Sequence, residues 1–122
     1  MQATRKRRSG CPVACALDIA GDRWTLLIVR DLLRGRATYG ALVASDERIP
    51  TNILADRLRR MQDEGLIAAV PYRERPLRFA YTLTEKGRGL GEVLEALARW
   101  GKRYVPGTRM PPEFRRSPAR RP

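Results

Sequence analysis

Two cysteines, Cys11 and Cys15, and no histidine set the limits of the chemistry this chain can do. Without imidazole there is no Ser/His or Cys/His nucleophile–base pair, no imidazole zinc ligand and no routine acid–base catalyst at neutral pH. Two thiols cannot complete a four-ligand metal site. Gly87, Gly89 and Gly91 fall on an apparent helix rather than after a strand, so they form no phosphate-cradling loop. No enzyme activity, metal or cofactor is expected. The remaining chemistry is that of amides, carboxylates and guanidinium groups, which read base edges and hold phosphates.

Those groups concentrate in two places. Over Pro50 to Glu64, at 100° per residue, Ile53, Leu54, Leu58 and Met61 gather within about 140° and make a face to bury. The opposite side carries Asn52, Ala55, Asp56 and Arg59, with Thr51 near its edge. Asn52 suits adenine N6/N7, and Arg59 suits a guanine or a phosphate. Asp56 repels phosphate, so it either accepts from a cytosine amine or pairs with Arg59 or Arg60. Any solvent-facing helix can look like this, so the decision rests on its place in the layout. The second place is Arg73-Glu74-Arg75-Pro76-Leu77, followed by Arg78. A basic hairpin tip of this kind can lie over a minor groove; the plainer reading is a solvated loop. Thr38 can hold a phosphate at a helix N-terminus, beside its plainer job of capping that helix. Arg57, Arg30 and Asp31 read as structural ion-pair residues.

The elements that must position these groups follow from periodicity and punctuation. Val13 to Ala20 is a short helix with Pro12 in its first turn, broken by Gly21. Asp22 caps a second helix, Arg23 to Leu33, with an apolar stripe at Trp24, Leu27, Ile28, Val29 and Leu32. Thr38 starts a third through Ala44, with Tyr39, Leu42 and Val43 facing inward. Ser45 to Arg48 is a turn. Pro50 or Thr51 opens the fourth helix, closed by Gly65. Leu66 to Tyr72 and Arg78 to Leu83 are strand-like, the second alternating with Phe79, Tyr81 and Leu83 on one face. Thr84 caps a final helix to about Tyr104, striped by Leu90, Val93, Leu94, Leu97 and Trp100. Helices followed by a small hairpin and a closing helix make a mainly α, winged helix-turn-helix layout.

Twenty-five Lys and Arg against 13 Asp and Glu leave a net charge of +12, which favours a polyanionic partner, nucleic acid ahead of a membrane surface. Two thirds of the excess lies in the basic arm 1–10 and in the Pro/Arg-rich tail 106–122, both expected to be disordered. Residues 11–105 form the folded domain. No run approaches the roughly 18 apolar residues of a membrane span. The basic start has no apolar stretch behind it, so a cytoplasmic protein is expected.

With these pieces placed, the sequence resembles the HxlR-type family of winged-helix regulators, relatives of the MarR type. The matching stretches are Cys11-Pro12-Val13; Gly21-Asp22-Arg23-Trp24-Thr25-Leu26-Leu27-Ile28; and Ile49 with Leu54 and Arg57-Leu58-Arg59. Asp63-Glu64-Gly65-Leu66-Ile67, Tyr81-Thr82-Leu83-Thr84-Glu85-Lys86-Gly87 and Trp100-Gly101 continue it, so it covers roughly residues 11–101. The resemblance implies a homodimer joined through N- and C-terminal helices on a pseudo-palindromic operator. The apolar stripe of the last helix agrees, exceeding what a lone winged domain needs to cover; Leu90, Val93, Leu94, Leu97 and Trp100 are the interface candidates. Pro50, where the family usually has a serine cap, Asn52, where a basic residue is common, and the wing sequence depart from the pattern and bear on which operator is read.

Cys11 matches a cysteine that several family members use to sense oxidants or electrophiles. Its place before a helix N-terminus and after Arg5 to Arg8 favours thiolate. An i,i+4 pair in one helix is badly oriented for a disulfide, so oxidation would bridge subunits; alternatively Cys15 is a small core residue and Cys11 a structural one. The leading expectation is a sequence-specific transcriptional regulator, a repressor rather than an activator, responsive to an oxidant or small molecule. The alternatives are an architectural or nonspecific nucleic-acid binder driven by the tails, and a protein-interaction module.

Overall fold

The computed structural model describes residues 9–114. The chain runs α1 (Pro12–Ala20), α2 (Thr25–Leu33), α3 (Tyr39–Val43), α4 (Thr51–Asp63), β1 (Ile67–Glu74), β2 (Leu77–Leu83), α5 (Glu85–Arg88), α6 (Leu90–Tyr104) and a 3-10 turn, Pro112–Phe114. This is the mainly helical, winged layout expected from the periodicity.

Local chemistry explains the boundaries. Gly21 ends α1, its N–H donating to the Leu17 carbonyl at 2.8 Å. Asp22 then caps α2 from three residues ahead of its start: Oδ2 accepts from the Trp24 and Thr25 amides at 3.0 and 3.1 Å. The helix therefore starts at Thr25 rather than Arg23. Gly65, at φ 78°, supplies the left-handed residue that turns α4 into β1. The long final helix is interrupted at Gly89 between α5 and α6, and α5 is capped by Thr84, whose Oγ accepts from the Gly87 amide at 3.1 Å. At Gly87 a Cβ would land on the Leu66 carbonyl oxygen, so this close approach of α5 to the residue before β1 admits only glycine.

The core is one cluster: Ile28 and Val29 of α2, Leu42 of α3, Ile49 just before α4, Leu54, Leu58 and Met61 along α4, Leu66, Ile67 and Leu83 at the hairpin base, and Leu94 of α6. The apolar face expected for α4 is thus the one buried, with Ile53 packed at its edge. Tyr39 is not inward-facing; it is exposed and its hydroxyl donates to the Thr51 carbonyl at 3.2 Å, tying the starts of α3 and α4.

β1 and β2 pair antiparallel from Ile67↔Leu83 to Pro71↔Phe79; a one-residue shift follows, after which Arg73 faces Arg78 and Glu74 faces Leu77. The expected five-residue loop is therefore only Arg75-Pro76, and Arg73 lies in a strand. A single extra bridge, Thr38↔Ala80, adds the segment before α3 to the sheet, with the Tyr81 amide donating to the Ala37 carbonyl at 2.8 Å. The alternation of β2 decides burial only at the base: Leu83 is buried, Tyr81 half-buried and Phe79 exposed, because the hairpin projects past the core.

The segment after Val105 returns to the domain rather than leaving it. Arg34 Nε donates to Glu113 Oε2 at 2.7 Å, and Phe114 packs against the core cluster. Residues 106–114, read from the sequence as the start of the tail, thus carry contacts to the domain. Sequence spacing misses this return because only the fold brings the end of α2 next to Pro112–Phe114. Residues 1–8 and 115–122, the bulk of the two basic ends, lie outside the described residues. Among the described residues no helix is long and apolar enough to cross a membrane.

Candidate nucleic-acid interface

The outer face of α4 leaves Thr51, Asn52, Ala55 and Arg59 exposed, while Asp56 is half-buried. Pro50 stands immediately before Thr51 with extended backbone and no side-chain cap, so the first amides of α4 are not covered by the protein's own hydroxyl. The main ion-pair partner of Asp56 is Arg57 rather than the expected Arg59 or Arg60: Oδ2 accepts from Arg57 Nη1 at 2.6 Å, and Oδ1 lies 3.4 Å from Arg59 Nη2. Arg60 is more distant, at 3.9 Å.

Thr38 has a structural job whether or not it also meets a phosphate. Its Oγ accepts from the Ala41 amide at 3.1 Å and caps α3, and its backbone bridges to Ala80. That double duty joins the surface together. Thr38 contacts β2 two residues from Arg78, and its neighbour Tyr39 contacts Thr51. The starts of α3 and α4 and the middle of the hairpin therefore share one contiguous region. Sequence reading found Thr38 as a cap but not as a bridge to the hairpin, since a single bridge leaves no periodicity.

Arg73, Arg75 and Arg78 are all exposed. Arg73 and Arg78 are partners across the hairpin, so their side chains leave the same face. Like charges placed opposite one another weaken a hairpin in isolation, and an anion between them reverses the sign.

Two ion-pair systems hold this surface to the core. Arg30, buried in α2, grips Glu47 of the α3–α4 turn through two nitrogens, at 2.6 and 2.9 Å, and Asp31 at 2.9 Å. Ser45 Oγ donates to the same Glu47 at 3.1 Å. Hydrogen bonds from Arg30 outweigh burial and hold the Glu47 carboxyl down at about 2. The second system joins Arg57 Nε to Asp22 Oδ2 at 2.8 Å. Burial pushes the Asp22 carboxyl up, but bonds from Thr25, Arg57 and the Trp24 amide outweigh it and bring it to about 2. The structural reading of Arg30, Asp31 and Arg57 matches these contacts.

The five interface candidates on the last helix divide. Leu94 is 8% exposed and belongs to the core, and Leu90 packs against it. These two are therefore covered within the protomer itself, Leu94 fully and Leu90 in part. Val93, Leu97 and Trp100 stay exposed, Trp100 at 61%, joined by Tyr104 with its ring 5.3 Å away. On α1, Val13 and Leu17 are similarly bare at 66% and 61%. Cys11 is exposed at the start of α1; Cys15, half-buried, donates to the Ser9 carbonyl at 3.3 Å and is outside the core cluster.

The model of the HxlR-like helix-turn-helix family matches residues 19–109, which spans every element from the end of α1 to beyond α6. The chain belongs to that family. Among similar proteins, the uncharacterized HTH-type transcriptional regulator Rv3095 of Mycobacterium tuberculosis H37Rv is 42% identical over 106 residues, 87% of this chain and 66% of the relative. The chain thus spans slightly less than two thirds of that relative's length. The crystal structure of PA1607, described as a putative transcription factor, superposes with a TM-score of 0.74 at 40% identity, covering 84% of this chain and 72% of that one. The reduced form of the redox regulator HypR gives 0.70 at 25% identity, covering 76% and 92%.

Proposed function

We propose that this HxlR-like chain is a sequence-specific, double-stranded-DNA-binding transcriptional regulator. It acts in the cytoplasm as a homodimer on a pseudo-palindromic operator, and as a repressor. The observation that carries this reading is the contiguous surface formed by the bare side of α4 and the opposed Arg73/Arg78 pair. Asn52 and Arg59 read base edges in the major groove, the start of α4 and Thr38 sit at phosphates, and the hairpin arginines lie over the adjacent minor groove. Two-fold pairing through Val13 and Leu17 of α1 and Val93, Leu97 and Trp100 of α6 sets two such surfaces about one helical turn of DNA apart.

The experiment is enrichment of bound duplexes from a randomised library with the full-length protein, followed by titration at several salt concentrations. A palindromic consensus with a steep salt slope supports the reading, and the consensus persists when residues 1–10 and 115–122 are removed. Binding without sequence preference that vanishes with those ends favours an architectural binder instead. Cys11 is the sensing residue in this proposal, supported by its exposure at a helix start and by the likeness to a redox regulator. Oxidation releases the operator from the wild type, and Cys11→Ser abolishes that release. A variant that still responds to oxidant ends the redox part alone.

A further inference from the structure

Arg57 has no base-reading role in this surface: it points to the edge of the buried face and is half-buried. Its guanidinium is nevertheless held at both ends. Nε donates to Asp22 Oδ2 at 2.8 Å, and Nη1 donates to Asp56 Oδ2 at 2.6 Å. Asp22 is itself fixed, since Oδ2 also accepts from the Trp24 and Thr25 amides and Oδ1 accepts from the Thr25 hydroxyl at 2.5 Å. The start of α2 therefore anchors Asp22, Asp22 anchors Arg57, and Arg57 anchors one oxygen of Asp56. Among the described residues the other oxygen, Oδ1, meets only a long 3.4 Å contact from Arg59, whose side chain is 68% exposed. An exposed pair of that kind is weak and readily exchanged.

A carboxylate on a DNA-facing helix is unfavourable beside phosphates unless it makes a contact that offsets the repulsion. Holding one oxygen in place removes the rotamer freedom that such a contact would otherwise have to freeze. Resting on the DNA-binding reading above, we propose that Arg57 is a positioning residue that fixes Asp56 as a base-discriminating carboxylate, with Oδ1 set to accept a hydrogen bond from the exocyclic amine of a cytosine in the major groove. Arg59 leaves Oδ1 when the base arrives and takes a phosphate or a guanine. Lysine cannot replace Arg57 here, because a single ammonium on a flexible stem does not bridge two carboxylates as a planar fork does.

The test uses the full-length chain and the consensus duplex enriched by the wild type. Each position of the half-site is substituted in turn and bound to wild type, Asp56→Asn, Arg57→Lys and Asp22→Asn. One C·G pair per half-site is expected to lose its preference in Asp56→Asn, by roughly 5- to 100-fold. Arg57→Lys and Asp22→Asn blur the same position, to a smaller degree, and leave the other positions unchanged. Asp56→Asn also binds a random duplex more tightly, because a phosphate-repelling charge is gone. Uniform weakening at all positions in Arg57→Lys and Asp22→Asn, with an unchanged preference in Asp56→Asn, overturns the proposal and makes the bridge purely structural. If the wild type enriches no duplex, the DNA-binding reading falls and this inference with it.

Discussion

Arg73 and Arg78 stand directly opposite each other on the two strands of the hairpin, one residue beyond a register shift, at the point where the strands have left the core. Nothing in the fold requires this pair. Opposed like charges weaken a hairpin, by about 0.2–1 kcal/mol against neutral residues. Arg78→Thr should therefore leave the free protein as stable or slightly more stable, while duplex binding weakens and its salt slope falls by about one. Thermal denaturation and salt-dependent titration check the two halves; a loss of stability with no change in slope would contradict the reading.

Leu94 and Leu97 lie one turn apart on α6 yet have opposite fates, one buried at 8% exposure and one bare at 51%. Leu94→Ala should cost about 2–5 kcal/mol of stability. Leu97→Glu should barely change the fold of a monomer but abolish self-association, read by sedimentation velocity. A Leu97→Glu variant that remains dimeric would exclude α6 from the interface.

Glu47 makes the fold sensitive to acid. Its carboxyl is lowered from an ordinary 4.5 to about 2 by the Arg30 hydrogen bonds. The stabilisation is complete above about 4.5 and is lost as pH falls toward 2. Asp22, lowered from 3.8 to about 2, acts in the same direction. Glu47→Gln should flatten part of the stability decline over that window. Arg30→Met should be far worse at neutral pH, by about 3–5 kcal/mol, because Asp31, with a side chain 3% exposed, loses its close partner and is left with the longer Arg34 contact at 3.8 Å. Chemical denaturation at a series of pH values measures both.

The C-terminal return through Pro112–Phe114 contributes to stability. Phe114→Ala removes partly buried ring surface and should cost about 1–2 kcal/mol. Glu113→Gln should cost less, since Arg34 keeps a further contact with Asp31 at 3.8 Å. Equal melting temperatures for Phe114→Ala and the parent would show that the return adds nothing.

Repeating apolar positions and the residues that punctuate them determined much of this molecule before any coordinates. The helical stripes, the Asp22, Thr38 and Thr84 caps, the glycines at 21 and 65 and the missing histidines depend on neighbours a few residues away, and local physics reaches that far. Candidate reading groups on α4 were legible for the same reason: Leu54, Leu58 and Met61 define a buried side, so Asn52 and Arg59 must lie on the other. Contacts between distant segments were decided only in three dimensions. The bridge from Thr38 to Ala80, the Arg57 fork between Asp22 and Asp56, the pairing of Arg73 with Arg78 and the grip of Arg34 on Glu113 depend on where packed elements finally cross. The same packing separated Leu94 from Leu97, because a stripe in sequence shows that a face is apolar but not which edge of it the protein's own core will cover.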